Sequence, residues 1–347
     1  PIESLTPDMA SGAELAISEV NQSGAFEFGE ITSVRADSTC IDSAAATAAT
    51  SSGVSGFETL RADSALTQDL AVFTQNQTFS RLDINVAGAV VFNNASSTVT
   101  NLDMTTTGGT ATVDRLVDGS TNELTISADD ATAGASDGVT TYVAVTAEDE
   151  ETINLVSGSD TAEVLTITTL TSTDLLTLNL SGTANVVITN AIASSTALAT
   201  VDASGMSGTA ATTVNASNST VGVTMTGGGG IDTFTSGVGA DTITGGAGAD
   251  IIDSGAGNDT ISGGAGADTI DAGVGGDTIT GGAGVDPFTQ TYGDSVVATA
   301  GFDASTGQAH AATATWGVGD TITFGNGVDV YTDFTAGTGG DTINITN

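Results

Sequence analysis

Seven aspartates spaced nine residues apart constrain this chain more than any other feature. They lie in seven consecutive nonapeptides, beginning at Gly227, Ser236, Gly245, Ser254, Gly263, Ala272 and Gly281 and ending at Thr289. Glycine holds the second and fourth places of every unit: Gly228 and Gly230, Gly237 and Gly239, Gly246 and Gly248, Gly255 and Gly257, Gly264 and Gly266, Gly273 and Gly275, Gly282 and Gly284. The sixth place is always Asp: Asp232, Asp241, Asp250, Asp259, Asp268, Asp277 and Asp286. An apolar residue sits two places later, usually within Thr-Ile-Thr or a close variant. A flexible glycine-rich linker requires neither the periodic acid nor the periodic apolar residue.

The spacing has a chemical reading. Glycine admits turn conformations that other residues resist and brings carbonyl oxygens toward one point, to which the aspartate adds negative charge. Six or more hard, partly anionic oxygens are the ligand set that Ca²⁺ prefers. The Thr-Ile-Thr tail then forms a short strand with one side chain inward, so that turn, strand, turn, strand makes one lap of two repeats. The first place of the repeat supports that lap, being Gly in the odd units but Ser236, Ser254 and Ala272 in the even ones. Asp232, Asp250, Asp268 and Asp286 are therefore expected to stack along one edge and Asp241, Asp259 and Asp277 along the other. One ion between successive laps gives about five Ca²⁺ in all.

This pattern resembles the glycine-rich nonapeptide repeat of the RTX family, and the resemblance implies a parallel β-roll with Ca²⁺ between laps. Pro287, which cannot donate to a β-ladder, is read as the end of the coil. Beyond it, the segments Asp329 to Phe334 and Gly337 to Ile345 resemble the region after the repeats in RTX exoproteins, and the second is close to one more nonapeptide. In that family this region lies near an uncleaved signal for one-step export from the bacterial cytoplasm. The chain stops at Asn347, so the expected export signal is very short or absent. The first residue is Pro1, so the expected natural N-terminus is missing or cleaved, and a signal or anchor would go with it.

Charge sets the surroundings of the repeats. The 347 residues hold 4 Lys and Arg against 42 Asp and Glu, a net charge of −38. That sign excludes nucleic acid as a partner. All four cations are arginines, the last being Arg115, and 28 acids lie beyond it. Ion pairs cannot neutralise that part of the chain, which leaves metal ions, water and mobile counter-ions. Cys40 is the lone cysteine, so no internal disulfide supports the fold; it would cross-link two chains or simply be packed. No apolar run is long enough to span a bilayer.

The pattern divides the chain into four regions. Residues 1–80 mix helix-like and strand-like runs, as in Ala13 to Val20, and the Ala/Ser/Thr-rich stretch Ile41 to Gly53 fits either a linker or a flat strand. Over 81–226, short alternating runs recur about every ten residues, including Thr152–Leu155, Val164–Ile167, Leu175–Leu180, Val186–Thr189 and Val221–Met225. They indicate an all-β sandwich or a β-solenoid, and a solenoid leading into the roll at 227–289 is favoured. Residues 290–347 read as a small C-terminal β cap with one isolated repeat-like turn, its core filled by Trp316 and Phe324. The fold class is thus all-β, a β-solenoid or strand array continuing into a parallel roll.

The inventory argues against an enzyme. His310 is the only histidine, in Gln-Ala-His-Ala-Ala, so a two-histidine zinc helix has no second ligand and a serine triad no alternative base. The acids Glu148 to Glu151 would in principle serve a glycosidase, but four in a row read better as a solvated turn or a peripheral cation site. Acids near Asp129, Asp130 and Asp137 read as surface charge, and the Asn-X-Ser/Thr sequons are assigned no role. The segments Gly56–Leu60, Glu151–Leu155 and Leu198–Ser204 resemble the Thr- and Ala-rich strand arrays of calcium-dependent bacterial surface-layer proteins. That resemblance implies a secreted structural subunit of a cell-surface coat, partnered by copies of itself and tethered to cell-surface glycan through a missing or N-terminal anchor. A monomeric RTX adhesin and the export half of a longer exoprotein are the alternatives.

Overall fold

Alternation of β-branched or apolar residues with Thr, Asn and Ser is what builds the molecule, because it gives each strand one face to bury and one to leave wet. The computed structural model describes residues 34–36, 59–62, 64–73, 79–128, 140–158, 164–291, 300–302, 309–310, 321–323, 329–334 and 340–346. The readings placed on Ala13 to Val20, Cys40, Ile41 to Gly53, Asp129, Asp130, Asp137, Trp316, Phe324 and the His310 side chain fall outside the described residues. Among the described residues the one helical element is a 3₁₀ turn at Leu70–Phe73.

The strands wind as a parallel β-solenoid. One long sheet has 13 strands and the facing sheet 12, and from Thr59–Ala62 onward the strands of these two sheets alternate along the chain. Every pairing within these two sheets is parallel, so each strand bonds to its counterpart one lap earlier and one lap later. The solenoid preference is borne out, and the sandwich is not formed. Strands fall at Thr152–Val156, Leu165–Thr171, Thr177–Gly182 and Val186–Ile188, close to the expected runs. The run Val221–Met225 is corrected: the strand is only Thr224–Thr226. Val221 is 41% exposed, and a Cβ at Gly222 would lie 2.5 Å from the Ala240 carbonyl oxygen, so this stretch is a close-packed turn.

Register turns the alternation into continuous columns. On the longer sheet Leu124, Ile153, Leu178, Val201, Met225, Ile243, Ile261 and Ile279 pair in succession, all buried. On the facing sheet Val214, Phe234, Ile252, Ile270 and Phe288 do the same. Core thickness changes along the axis. A lap near the start buries Leu82, Ile84, Val90, Phe92 and Val99, whereas a lap of the nonapeptide region buries little beyond Ile243 and Ile252. Apolar burial is roughly proportional to area, so the thin end needs another source of cohesion.

Pro287 does not end the coil. It opens the strand Pro287–Thr291, which pairs in parallel with Thr342–Thr346, while Thr278–Ala283 pairs with Val330–Tyr331. A first strand position tolerates the missing N–H, as proline requires. Between these laps, Ala300–Phe302, Ala309–His310 and Thr321–Thr323 form a separate antiparallel sheet.

The four acids at 148–151 are also corrected, because they are not uniformly solvated. Glu150 is fully buried against Arg115, whose Nε donates to Oε1 at 2.5 Å and Nη2 to Oε2 at 2.9 Å. The remaining guanidinium hydrogens reach the carbonyls of Ser96, Val99 and Glu123 at 3.0, 2.7 and 3.1 Å. The pair therefore ties three stretches of chain together with every donor satisfied. Removing one partner leaves an uncompensated buried charge, so Arg115→Met is expected to lower the unfolding free energy by about 3–5 kcal/mol in urea titrations. Adding Glu150→Leu to it should restore most of that loss; a double variant no more stable than Arg115→Met alone would contradict this role.

Candidate calcium roll

Within the nonapeptides the lap is 18 residues: Met225 pairs with Ile243, Ile243 with Ile261 and Ile261 with Ile279. This period places the sixth-position aspartates in two columns, as expected from the alternating first position. In the first column the N–H of Asp232 donates to Asp250 Oδ1, that of Asp250 to Asp268 Oδ1, and that of Asp268 to Asp286 Oδ1, at 2.8, 2.8 and 2.9 Å. In the second, Asp241 N–H donates to Asp259 Oδ1 and Asp259 N–H to Asp277 Oδ1, both at 2.8 Å. All seven side chains are at most 1% exposed.

One oxygen of each carboxylate is thus used to join laps, and the other carries the chemistry. Oδ2 of Asp250, Asp259, Asp268, Asp277 and Asp286 is buried with no hydrogen-bond partner. Asp232 Oδ2 instead accepts from Gly228 N–H at 2.8 Å, and Asp241 Oδ2 from Ser236 Oγ at 2.6 Å. An unpartnered buried carboxylate oxygen is costly, and the four arginines lie far back in the sequence. A hard cation is the partner that such an oxygen fits.

The glycines supply the room. A Cβ on Gly245 would lie 2.5 Å from the Gly263 carbonyl oxygen and closer still to Asp250 Oδ2, and one on Gly281 would lie 2.5 Å from Asp286 Oδ2. The first-position glycine therefore leaves open a cradle in which a carboxylate oxygen and a carbonyl of the next lap meet. The second and fourth glycines do something different: the carbonyls of Gly228, Gly246 and Gly264 pack in turn against the same position one lap on, as do those of Gly230, Gly248 and Gly266. Gly237, Gly255 and Gly273 form an equivalent stack on the other edge, as do Gly239, Gly257 and Gly275. Gly266, at φ +142°, sits where a side chain would be driven into the Gly248 carbonyl.

The alternation at the first position has a task that the sequence alone does not assign. On the second edge Ser236 Oγ bridges to the Ser254 carbonyl and Ser254 Oγ to that of Ala272, both at 2.7 Å. The two edges are thus chemically distinct, an open glycine cradle on one and a hydroxyl bridge on the other. A separate acidic group, Asp118, Glu151 and Asp174, has carboxylate oxygens within 4.8 Å of one another. It lies nearer the surface, and Glu151 Oε2 is already taken by Asn122 N–H at 2.5 Å, so it lacks the buried unpartnered oxygens of the roll.

Stacked aspartates, glycine carbonyl columns and an 18-residue parallel lap define a β-roll of the calcium-binding kind. The sequence agrees: residues 226–261 and 254–286 match the RTX calcium-binding nonapeptide repeat, a model of four copies. No curated protein matches the chain. Proteins with these repeats bind Ca²⁺ and are typically secreted, and no helix among the described residues is long and apolar enough to cross a membrane.

Burial without a counter-charge shifts the acids. Desolvation pushes Asp250 and Asp259 up to about 6 and Asp277 to about 7, with neighbouring aspartates of the same column adding to the rise. Asp232, Asp268 and Asp286 are raised by the same burial. A carboxyl whose folded pKa exceeds its unfolded value binds protons preferentially in the folded chain. In chelator, roll stability is therefore greatest below about pH 4 and is lost as pH rises to about 7. Circular dichroism in chelator should accordingly show more β-structure at about pH 5 than at about pH 7.5, and Ca²⁺ should abolish the difference at the higher pH. Gly266→Ala is expected to raise the Ca²⁺ midpoint of that β-signal by about tenfold or more, since relief of the clash must come from moving backbone.

Proposed function

We propose that this protein is a structural subunit of an extracellular bacterial coat that folds and assembles when it meets calcium. The observation that carries the calcium half is the row of buried Oδ2 atoms without partners in a region devoid of cationic side chains. Metal-free, these columns repel and the glycine-rich laps have a large ordering entropy to overcome, so the segment is expected to be unfolded where calcium is scarce. Outside the cell, sites with Kd on the order of 10⁻⁴ to 10⁻³ M would fill, and binding would drive folding.

The assembly half rests on shape. The solenoid is long and regular, and its outward columns are small and polar: Thr152, Thr177, Thr200, Thr224, Thr242 and Thr260 succeed one another in register on one sheet. Among the described residues the terminal strands are sheet edges, the kind of surface that pairs with another chain, and Val117, Val238 and Ile231 are more than half exposed. These features favour a repeating self-contact. Charge left over after the roll is filled would oppose packing, and further Ca²⁺ between subunits would relieve it. Glu150 takes no part in such bridging, being buried on Arg115.

A Ca²⁺ titration of chelator-treated protein, monitored by circular dichroism together with light scattering and electron microscopy, tests both halves. Gain of β-signal with ordered sheets or filaments is expected. Folding to a persistent monomer would overturn the coat role in favour of a binding protein or an export segment, and no response to calcium would overturn the whole reading.

A further inference from the structure

The family match stops at residue 286, yet the repeat does not. Phe324-Gly-Asn-Gly-Val-Asp329-Val-Tyr-Thr332 and Ala336-Gly-Thr-Gly-Gly-Asp341-Thr-Ile-Asn344 both carry glycine at the second and fourth places, Asp at the sixth and an aromatic or aliphatic residue at the eighth. The structure seats them as the next lap. Tyr331 pairs with Ile279 and Ile343 with Phe288, the positions that the eighth residue of a repeat would take. The aspartate columns continue with the same bond: Asp277 N–H donates to Asp329 Oδ1 at 3.1 Å and Asp286 N–H to Asp341 Oδ1 at 2.9 Å. Those bonds span 52 and 55 residues of chain, against 18 everywhere earlier in the roll. The alternation of edges is preserved across the gap.

We infer that the roll is split, and that calcium binds at two further inter-lap sites, Asp277 with Asp329 and Asp286 with Asp341, locking the C-terminal lap onto the seven-repeat body. The oxygens that point to a ligand there are Oδ2 of Asp277 and of Asp286, both fully buried and without hydrogen-bond partners. Asp333 adds a third carboxylate to the junction, accepting the N–H groups of Gly281 and Gly282 at 3.0 and 2.7 Å. An aromatic cluster completes the lap, with ring centroids of Phe288 and Tyr331 4.9 Å apart and of Phe288 and Phe334 6.2 Å apart. The longer closure makes this lap entropically costlier to dock than its neighbours. Calcium at the junction thus controls whether the segment between the two halves is held at both ends.

This inference rests on the calcium reading of the roll, and the experiment separates the two. Bound Ca²⁺ per chain is measured by equilibrium dialysis for the full chain and for Asp329→Asn/Asp341→Asn, alongside hydrogen exchange through a calcium titration. The variant is expected to bind two ions fewer and to lose calcium-dependent protection at Val330–Tyr331 and Thr342–Thr346 while keeping it at Thr260–Ala265. An unchanged ion count would overturn the split roll and leave the seven-repeat roll standing. Wild-type binding of no calcium at all would overturn both. Should the variant fail to fold, the wild-type exchange decides: protection at Thr342–Thr346 that rises with calcium supports the junction sites, and protection indifferent to calcium refutes them.

Discussion

Carboxylates buried without cations are the constraint on which the rest of the roll depends. Each aspartate spends one oxygen on the backbone of the previous lap, which sets the register, and holds the other in a space closed to water. The first bond makes the columns regular, and the second oxygen makes them unstable alone. In an ordinary protein a lysine or arginine would answer such a charge, but this chain has no such residue beyond Arg115. On the calcium reading proposed above, cohesion of the region passes from side chains to an ion, and so becomes conditional on the surroundings.

The upstream laps solve the same problem of cohesion differently. Their columns are broader in apolar content, and the charges they bury are compensated within the chain, as Arg115 and Glu150 demonstrate. Arg61 with Asp83 and Arg81 with Asp103 form further ion pairs nearer the start of the solenoid, with their guanidinium groups more exposed. One continuous pair of sheets thus passes from a half held by hydrophobic burial and internal ion pairs to a half whose thin core leaves its carboxylates to metal. The parallel ladder is common to both, so the nonapeptide half can fold onto a template that the upstream laps already provide.

Much of this is legible in the residues alone. The nine-residue period requires stacked turns, and the Gly-versus-Ser alternation reveals the two-repeat lap, because residues one lap apart must share an environment. Short alternating strands upstream narrow the fold to a sandwich or solenoid, but only pairing partners distinguish the two, and those are encoded in spacings that vary from lap to lap. Pro287 misleads because a missing N–H is a barrier only where a ladder bond is needed, and the first position of a strand does not need one. Glu150 misleads because a run of four acids carries no sign of which member turns inward; its partner lies 35 residues earlier.

The sequence by itself determined the local chemistry of this protein: which residues turn, which alternate, which acids recur and that no cations are available to meet them. Tertiary structure decided what local pattern cannot express. It set Oδ1 and Oδ2 of the same aspartate to different tasks, turned the first-position glycine into a cradle and the first-position serine into a bridge, and carried Asp329 and Asp341 across a long insertion into the existing columns. The physical reason is that a periodic signal constrains neighbours at a fixed separation, whereas burial, orphaned oxygens and the closing of a lap over an insertion arise only when distant segments are stacked.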